Sequence, residues 1–468
     1  MVERILFISI FKEGYGGGEG RVAYEMARWF AQHYQVVMLC PGKTTGLTID
    51  ETGFQQFEVK SSGETNLYLS LLDAFTLKKI YDFLDSFQPQ VIHMHDPALM
   101  AVIGQLWAKH RRVPAFYTAH ILPSRALDFG AKEITRLLAT PVNEMLVEKY
   151  LLNFYENCDA VIGLNQNVAT MIRDFGYDGR IFQIPNGRNL ALYHTSRRAD
   201  LQEKEIRLTF VGSLGKRKNQ AFLIEAMQFL PENYRLQLLG VPLDRAYLQE
   251  LNKIIARLRV QVDFLGQLSQ EEVAGVLAQT HVFVSASKME VQSLAIIEAL
   301  ASGLPVVALS NETTDELVDD AVGAHLPKDA SAEAFAAAVR RVCELPQAGY
   351  ETMCANAHNR VEALDWSKVM QRTIQSYETV IAEQAQKAGH SAPYEFAKKY
   401  VEQIPIGRLR DEMARIIAYI PKRPRKRIFL PVKTLGIAIF NMNASVTGYY
   451  LLKVRLWILG LFRKNKKA

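Results

Sequence analysis

The chain has 468 residues, 49% of them hydrophobic, with 28 Gly, 17 Pro and a net charge of +6. That is enough to bury two or three cores, and it excludes a disordered or collagen-like chain. Four cysteines (Cys40, Cys158, Cys343, Cys354) without CxxC spacing indicate neither a disulfide framework nor a zinc cluster, and they favour a reducing compartment.

The opening "RILFISIF" (4–11) reads as a buried first strand. Its apolar run is short and no small-residue cleavage site follows, so a signal peptide is not expected. "QVVMLC" (35–40), "QVIHMH" (90–95), "PAFYTAH" (114–120) and "AVIGL" (160–164) read as further strands. Helix-length segments such as "GRVAYEMARWFAQH" (20–33) lie between most of them. This βαβ alternation predicts a parallel sheet covered on both faces. The polar "HTSRRADLQEKE" (194–205) reads as a linker, after which the pattern restarts. "IRLTFVG" (206–212), "YRLQLLG" (234–240), "VDFLG" (262–266), "HVFVSA" (281–286) and "PVVAL" (305–309) form a second strand set. "SQEE" (269–272) is a capping box opening the helix before "HVFVSA". The expectation is two doubly wound α/β domains, 1–195 and 205–365, facing across a cleft, with ligands at the carboxyl ends of the strands. From about residue 385 the rhythm stops and the chain becomes helical and basic.

The stretch "MEVQSLAIIEALASG" (289–303) places two glutamates around an apolar run. Gly303 and Pro305 end a helix predicted from about Ser293 to Ser302. Glu290 then sits in the loop at the carboxyl end of a strand, and Glu298 in the second helical turn. The N–H groups near Ser293 and Leu294 open the helix and suit an anion. A carboxylate, a phosphate cradle and a second carboxylate are what a nucleotide-diphosphate sugar needs for its sugar, phosphates and ribose.

This stretch resembles the E-x7-E signature of the family 4 retaining glycosyltransferases, which have the two-Rossmann GT-B fold. The resemblance implies that Glu290 contacts the donor sugar and Glu298 the ribose. Where the family often has Phe-Gly or Gln-Gly, this chain has Gln292-Ser293. "FVGSLGKRKNQAFLIEA" (210–226) resembles the family's G-R-L-x-x-x-K-G. Lys218 falls on the lysine that neutralises the leaving diphosphate. Ser213 stands in place of the arginine, which leaves Lys216 or Arg217 to supply the second cation. "GYGGGEGRVAYEMA" (14–27) resembles the GG-x-x-R loop. There Gly17 and Gly18 let the backbone approach phosphate and Arg21 opens the helix. It is not a strict GxGxxG, which argues against NAD. "PGKTT" (41–45) is no P-loop, since Val37 occupies the position of the first glycine. After "FYTAH" (116–120), His120 maps to the family's histidine that touches the transferred sugar. His93 and His95 share a strand face without an evident third metal ligand, so a structural or acceptor-contact role is expected. "IPNG" (184–187) reads as a structural turn, with Asn186-Gly187 suited to positive φ. "VDFLGQLSQEE" (262–272) matches the base-pocket segment, and residues 366–384 match the helix that crosses back to the first domain.

The resemblance covers about residues 1–385. Beyond it, residues 421–468 hold twelve Lys or Arg and no Asp or Glu, so this tail carries +12 and the first 420 residues sum to −6. The run between Lys433 and Lys453 is uncharged but contains Asn441, Asn443 and Ser445, and aromatics are interleaved. That composition fits segments lying on an anionic membrane surface better than a span. No nucleic-acid module is present, and no nucleic-acid partner is expected. The resemblance implies a retaining glycosyltransferase without a metal or cofactor, and the tail adds the expectation of membrane association at the cytoplasmic face. It would move a hexose or N-acetylhexosamine from a nucleotide-diphosphate sugar, UDP-sugar first, to a lipid, lipid-linked or polysaccharide acceptor. The alternatives are a GT-B nucleotide-sugar epimerase and a non-catalytic sugar-nucleotide-binding scaffold.

Overall fold

Strands buried on both faces need apolar side chains at consecutive positions, and the short β-branched runs of this chain become such strands. A computed structural model describes residues 2–62, 69–70, 74–120, 141–193 and 199–386. These fall into two compact units. One comprises the described parts of Met1–Ile162, Arg173–Phe182 and Ile374–Ala468; the other is Gly163–Ile172 with Gln183–Thr373. The second unit thus begins before the linker expected at 194–205. The helix Trp366–Gln386 belongs to the second unit through Thr373 and to the first from Ile374.

The strands of the first unit, in chain order, are β1 (Arg4–Ile8), β2 (Gln35–Gly42), β3 (Gly46–Ile49), β4 (Gln55–Ser62), β5 (Leu69–Ser70), β6 (Val91–Met94), β7 (Ala115–Thr118), β8 (Ala160–Gly163) and β9 (Ile181–Gln183). They form one sheet in the order β3-β4-β2-β1-β6-β7-β8-β9, with β5 on β4. β1 pairs in parallel with β2 on one side and β6 on the other, which makes its carboxyl end a topological switch point. The five strands read from sequence are present. The hairpin β3–β4 was not foreseen. β3 is an antiparallel edge strand whose Leu47 and Ile49 face outward, so it lacks a buried run.

The second unit has six parallel strands: β10 (Ile206–Val211), β11 (Tyr234–Leu239), β12 (Val262–Gly266), β13 (Val282–Ser285), β14 (Val306–Leu309) and β15 (Gly323–Leu326), in the order β12-β11-β10-β13-β14-β15. The order reverses at β10, a second switch point. One core joins Leu208, Phe210, Leu238 and Val284 to Leu223, Phe335 and Val339 of the covering helices. The other joins Phe283, Val306 and Ala308 to Ile296, Ile297 and Leu300. Each such buried aliphatic side chain contributes about 1.5–3 kcal/mol. The expected helix is Leu294–Ala301, with Ser293 at its N-cap and Gly303 at φ 68° beyond its end. The capping box is present: Ser269 Oγ accepts from Glu272 N, and the Glu272 carboxylate accepts from Ser269 N. Where β10 and β11 end, a Cβ on Gly240 would lie 2.2 Å from Gly212 O, so this approach requires glycine. The loop that follows is laced to its neighbour by Leu214 N to Val241 O and Leu243 N to Leu214 O.

Candidate functional site

The expected site residues divide between the units: Gly17, Gly18 and His120 in the first, Ser213, Lys218, Glu290, Gln292, Ser293, Leu294 and Glu298 in the second. After β1, the helix Gly17–Ala31 starts from Gly16, which is left-handed at φ 81°. A Cβ on Gly16 would strike the Phe11 ring at 2.3 Å, and one on Gly20 would strike Tyr15 O at 2.0 Å. Those two glycines let the turn close. Gly17 and Gly18 are exposed, and among the described residues nothing lies within 4 Å of where a Gly17 Cβ would be, which leaves room there for an anion. Arg21 is engaged by Glu25 at 2.7 Å.

His93 and His95 come from the end of β6, and His120 follows β7. His93 Nδ1 meets the Tyr377 hydroxyl at 2.5 Å and Nε2 meets Thr118 Oγ1 at 2.6 Å. His95 Nδ1 meets His120 Nε2 at 3.0 Å. Among the described residues no group of three or more His, Cys, Asp or Glu is arranged to hold a metal ion. Burial pushes His93 and His120 down to about 3 and His95 well below the usual imidazole range, so all three are neutral. Asp96, two residues beyond β6, was not singled out in sequence. Its carboxylate accepts from Ile10 N at 2.5 Å and Ala98 N at 3.1 Å, tying the end of β1 to that of β6. Burial raises its pKa to about 6.

In the second unit the loop after β10 carries Lys218 to Glu290, whose carboxylate it contacts directly. Arg217 Nη1 lies 3.6 Å from the other Glu290 oxygen and donates to Met289 O at 2.8 Å. Lys288 N donates to Arg217 O at 3.0 Å, completing the lacing of the two loops. Arg217 is therefore the second cation beside Glu290. Lys216 is exposed and stands 4.0 Å from Glu250. Burial alone would raise the Glu290 pKa, but Lys218 and Arg217 outweigh it and hold the carboxyl below its usual range. Ser213 lies in the same loop, its carbonyl held by Gln220 Nε2 at 3.0 Å.

The helix N-terminus expected to cradle phosphate has fewer free amides than the sequence suggests. Ser293 N donates to Thr313 Oγ1 at 2.8 Å, and the Ser293 side chain makes no cap bond, so Leu294 is the first residue whose amide opens the helix. Thr313 Oγ1 also donates to Glu290 O at 3.4 Å, and Glu312 Oε2 accepts from Glu290 N at 3.1 Å. Gln292 uses its side chain inside the unit: Oε1 accepts from Asn186 N at 2.6 Å and Nε2 donates to Leu164 O at 3.4 Å. Neither Asn186 nor Gly187 has positive φ. Glycine is required at 187 because a Cβ there would sit 2.1 Å from the Trp366 ring.

Two successive stretches of the chain match family models, "Glycosyltransferase Family 4" over residues 16–192 and "Glycosyl transferases group 1" over 194–360. The chain belongs to the family 4 glycosyltransferases. The chain is 26% identical over 246 residues to the alpha-monoglucosyldiacylglycerol synthase of Acholeplasma laidlawii, covering 49% of this chain and 61% of that one. The corresponding synthase of Streptococcus pneumoniae is 25% identical over 52% of this chain and 56% of its own, so less than two thirds of these relatives is spanned. A GDP-mannose-dependent phosphatidylinositol dimannoside mannosyltransferase of Mycobacterium tuberculosis is 23% identical over 73% of this chain and 87% of its own. Sucrose-phosphate synthase from Thermosynechococcus elongatus superposes with a TM-score of 0.66 at 22% identity, over 81% of this chain and all of that one. Anabaena HepE, solved with UDP and glucose, gives 0.63 at 19% over the same shares. These likenesses establish the GT-B fold.

In this family 4 member Glu298 is 2% exposed and faces Arg188, 1% exposed, with Oε1 3.3 Å from Nε. Arg188 is pinned by its own N–H to Leu364 O at 2.9 Å and by Trp366 N to its carbonyl at 3.0 Å. Sequence reading missed Arg188, Glu312 and Thr313. "NETT" (311–314) follows β14 after one intervening residue, and that position at a strand's carboxyl end was the available signal. The basic tail, 421–468, lies outside the described residues. Among those described, no helix is long and apolar enough to cross a membrane.

Proposed function

We propose that this chain is a retaining glycosyltransferase. It transfers a hexose or N-acetylhexosamine from a nucleotide-diphosphate sugar, UDP-sugar first, to a membrane lipid, lipid-linked or polysaccharide acceptor. The observation that carries the reading is Lys218 and Arg217 converging on buried Glu290 beside the N-terminus of the helix Leu294–Ala301. Cations held in place before charge develops stabilise a departing diphosphate. Lys218, Arg217 and the first helical amides take that role. Glu290 orients the sugar hydroxyls, His120 contacts the sugar, and Glu298, oriented by Arg188, accepts from the ribose. No covalent nucleophile is used. The bond from the anomeric carbon to phosphate oxygen breaks while the acceptor oxygen bonds on the same face, and the acceptor proton passes to the leaving phosphate. No metal is required.

The glucosyldiacylglycerol and phosphatidylinositol dimannoside names of the relatives support a lipid acceptor. The +12 tail supports docking on anionic lipid at the cytoplasmic face, at about 1 kcal/mol for each basic residue near the surface. The test is radiolabelled transfer from UDP-, GDP- and ADP-sugars into a total lipid extract, with full-length protein and protein truncated at residue 420. Label in lipid from the full-length chain alone supports the proposal and names the donor. Label in water-soluble products from both forms moves the acceptor off the membrane. Altered sugar nucleotide without an acceptor, or donor binding without turnover, overturns the transferase reading.

A further inference from the structure

We propose that His95 is a positioning residue that donates its Nδ1–H to His120 Nε2, fixing His120 as the Nδ1–H tautomer, a neutral hydrogen-bond donor to the transferred sugar. The proposal rests on the reading that His120 touches that sugar. Three observations carry it. The two rings face each other through His95 Nδ1 and His120 Nε2 at 3.0 Å, so one proton lies between them and each tautomer dictates the other. The orientation of His95 is fixed by stacking, with ring centroids 4.7 Å from His93, 5.3 Å from His120 and 5.8 Å from Phe7, and interplanar angles of 15°, 18° and 27°. His95 Nε2 is buried without a hydrogen-bond partner among the described residues.

That last atom decides the direction. If His120 donated, His95 would carry its proton on Nε2, and a buried N–H would be orphaned. If His95 donates, Nε2 keeps only a lone pair. Orphaned buried donors are rarer than under-satisfied acceptors, so the second arrangement wins. His93 does not disturb it, because its nitrogens face hydroxyls of Thr118 and Tyr377 that can each donate or accept. Burial keeps all three imidazoles neutral at pH 7, so no additional proton enters the pair.

Two consequences follow for His120. It is the member of the stack with residual exposure, 8% against 0% for His93 and His95. Its Nε2 lone pair is committed to His95, so it cannot serve there as a base for the acceptor hydroxyl. Nδ1–H is the ring nitrogen left to meet a ligand, and it suits a sugar oxygen. This agrees with the leaving phosphate, rather than an imidazole, taking the acceptor proton.

The test is a long-range proton–nitrogen spectrum of the full chain labelled with nitrogen-15 histidine, with His120 assigned by the signals lost in His120→Asn. The proton is expected on His120 Nδ1. His95→Asn, whose amide can donate from nearly the same position, should keep that preference. His95→Leu should admit the Nε2–H form and lower kcat about tenfold with a smaller change in donor KM, and Asn should restore most of the loss. A wild-type His120 protonated at Nε2 overturns the proposal, as does His95→Leu leaving both tautomer and kcat unchanged. The spectrum needs no turnover, so it separates this failure from that of the transferase reading. The expected tautomer together with an unaffected kcat in both His120→Asn and His95→Leu removes His120 from the sugar site.

Discussion

The polar clusters of the two units solve the same problem in opposite ways. In the second unit, Glu290 is buried yet stays charged, because Lys218 and Arg217 arrive on a neighbouring loop and outweigh the loss of water. In the first, three buried histidines face hydroxyls and one another, and burial strips their charge. The difference lies in the partners that the strand order brings alongside. β10 and β13 are neighbours, so a cationic and an anionic loop meet at their carboxyl ends; β6 and β7 are neighbours, and their ends carry imidazoles. A cluster of paired charges can stabilise developing negative charge. A neutral cluster can only give or take hydrogen bonds.

The largest test of this contrast is Arg188→Met. Glu298 would be left buried without its cation, and unfolding by denaturant should show a loss of about 3–5 kcal/mol. Pairing it with Glu298→Leu should recover most of that loss, since two apolar residues need no pairing. A loss below about 1 kcal/mol would mean that the second unit does not rest on paired charge.

Lys218→Ala comes next. Removing one preorganised group that stabilises leaving charge lowers turnover about 10²–10³-fold. The expected outcome is a kcat reduced by that factor in a protein whose melting transition is still cooperative. Intact turnover in folded Lys218→Ala or Glu290→Gln would remove this cluster from the chemistry altogether.

Thr313→Val probes how the charged cluster is held. The valine keeps the shape but orphans Ser293 N–H and withdraws a donor from Glu290 O. A stability loss of about 1–3 kcal/mol and faster hydrogen exchange at the Ser293 amide are expected. Unchanged exchange would show that Thr313 does not close that amide.

What sequence could reveal of these clusters follows from their physics. β1, β6 and β10 were legible because strands covered on both faces must be continuous apolar runs, and the hairpin β3–β4 was not, because Leu47 and Ile49 point outward. Glu290 and Glu298 stood out as two carboxylates bracketing an apolar run, one after a strand and one within the following helix, and Lys218 stood out through the resemblance of 210–226 to the family motif. Arg217 was one of two candidates, and only the distances to Glu290 and Glu250 separate it from Lys216. Arg188 was hidden because its partner is distant in the chain and nothing local marks a buried cation. Thr313 was hidden because a threonine after a strand looks like any loop residue until its hydroxyl is seen to meet Ser293. Gln292 was legible as a loop residue but not as a stitch to Asn186, since that bond depends on how Gly163–Ile172 and Gln183 onward fold into the second unit.

The smallest effect per unit of pH addresses the neutral cluster. A histidine whose folded pKa is lowered binds fewer protons folded than unfolded. Its stabilisation is complete above the unfolded value near 6.5 and is lost as pH falls toward the folded value, about 3 for His93 and His120. Each such group should steepen the acid loss of stability by about 1.4 kcal/mol per pH unit between those limits. Asp96, raised to about 6 by burial, acts with the opposite sign below that pH, and so does Glu19, raised by burial and then by Asp96. The informative quantity is therefore a difference in which these carboxyls cancel. Denaturant unfolding at pH 6.5, 5.5 and 4.5 should give a shallower slope for His120→Asn than for the wild type, by about that one increment. The lowered Glu290 contributes below about pH 4.5 in both proteins and does not enter this window. Equal slopes would mean that His120 protonates as readily folded as unfolded. The first unit would then hold a charge after all, and the contrast between the two clusters would fail on its neutral side.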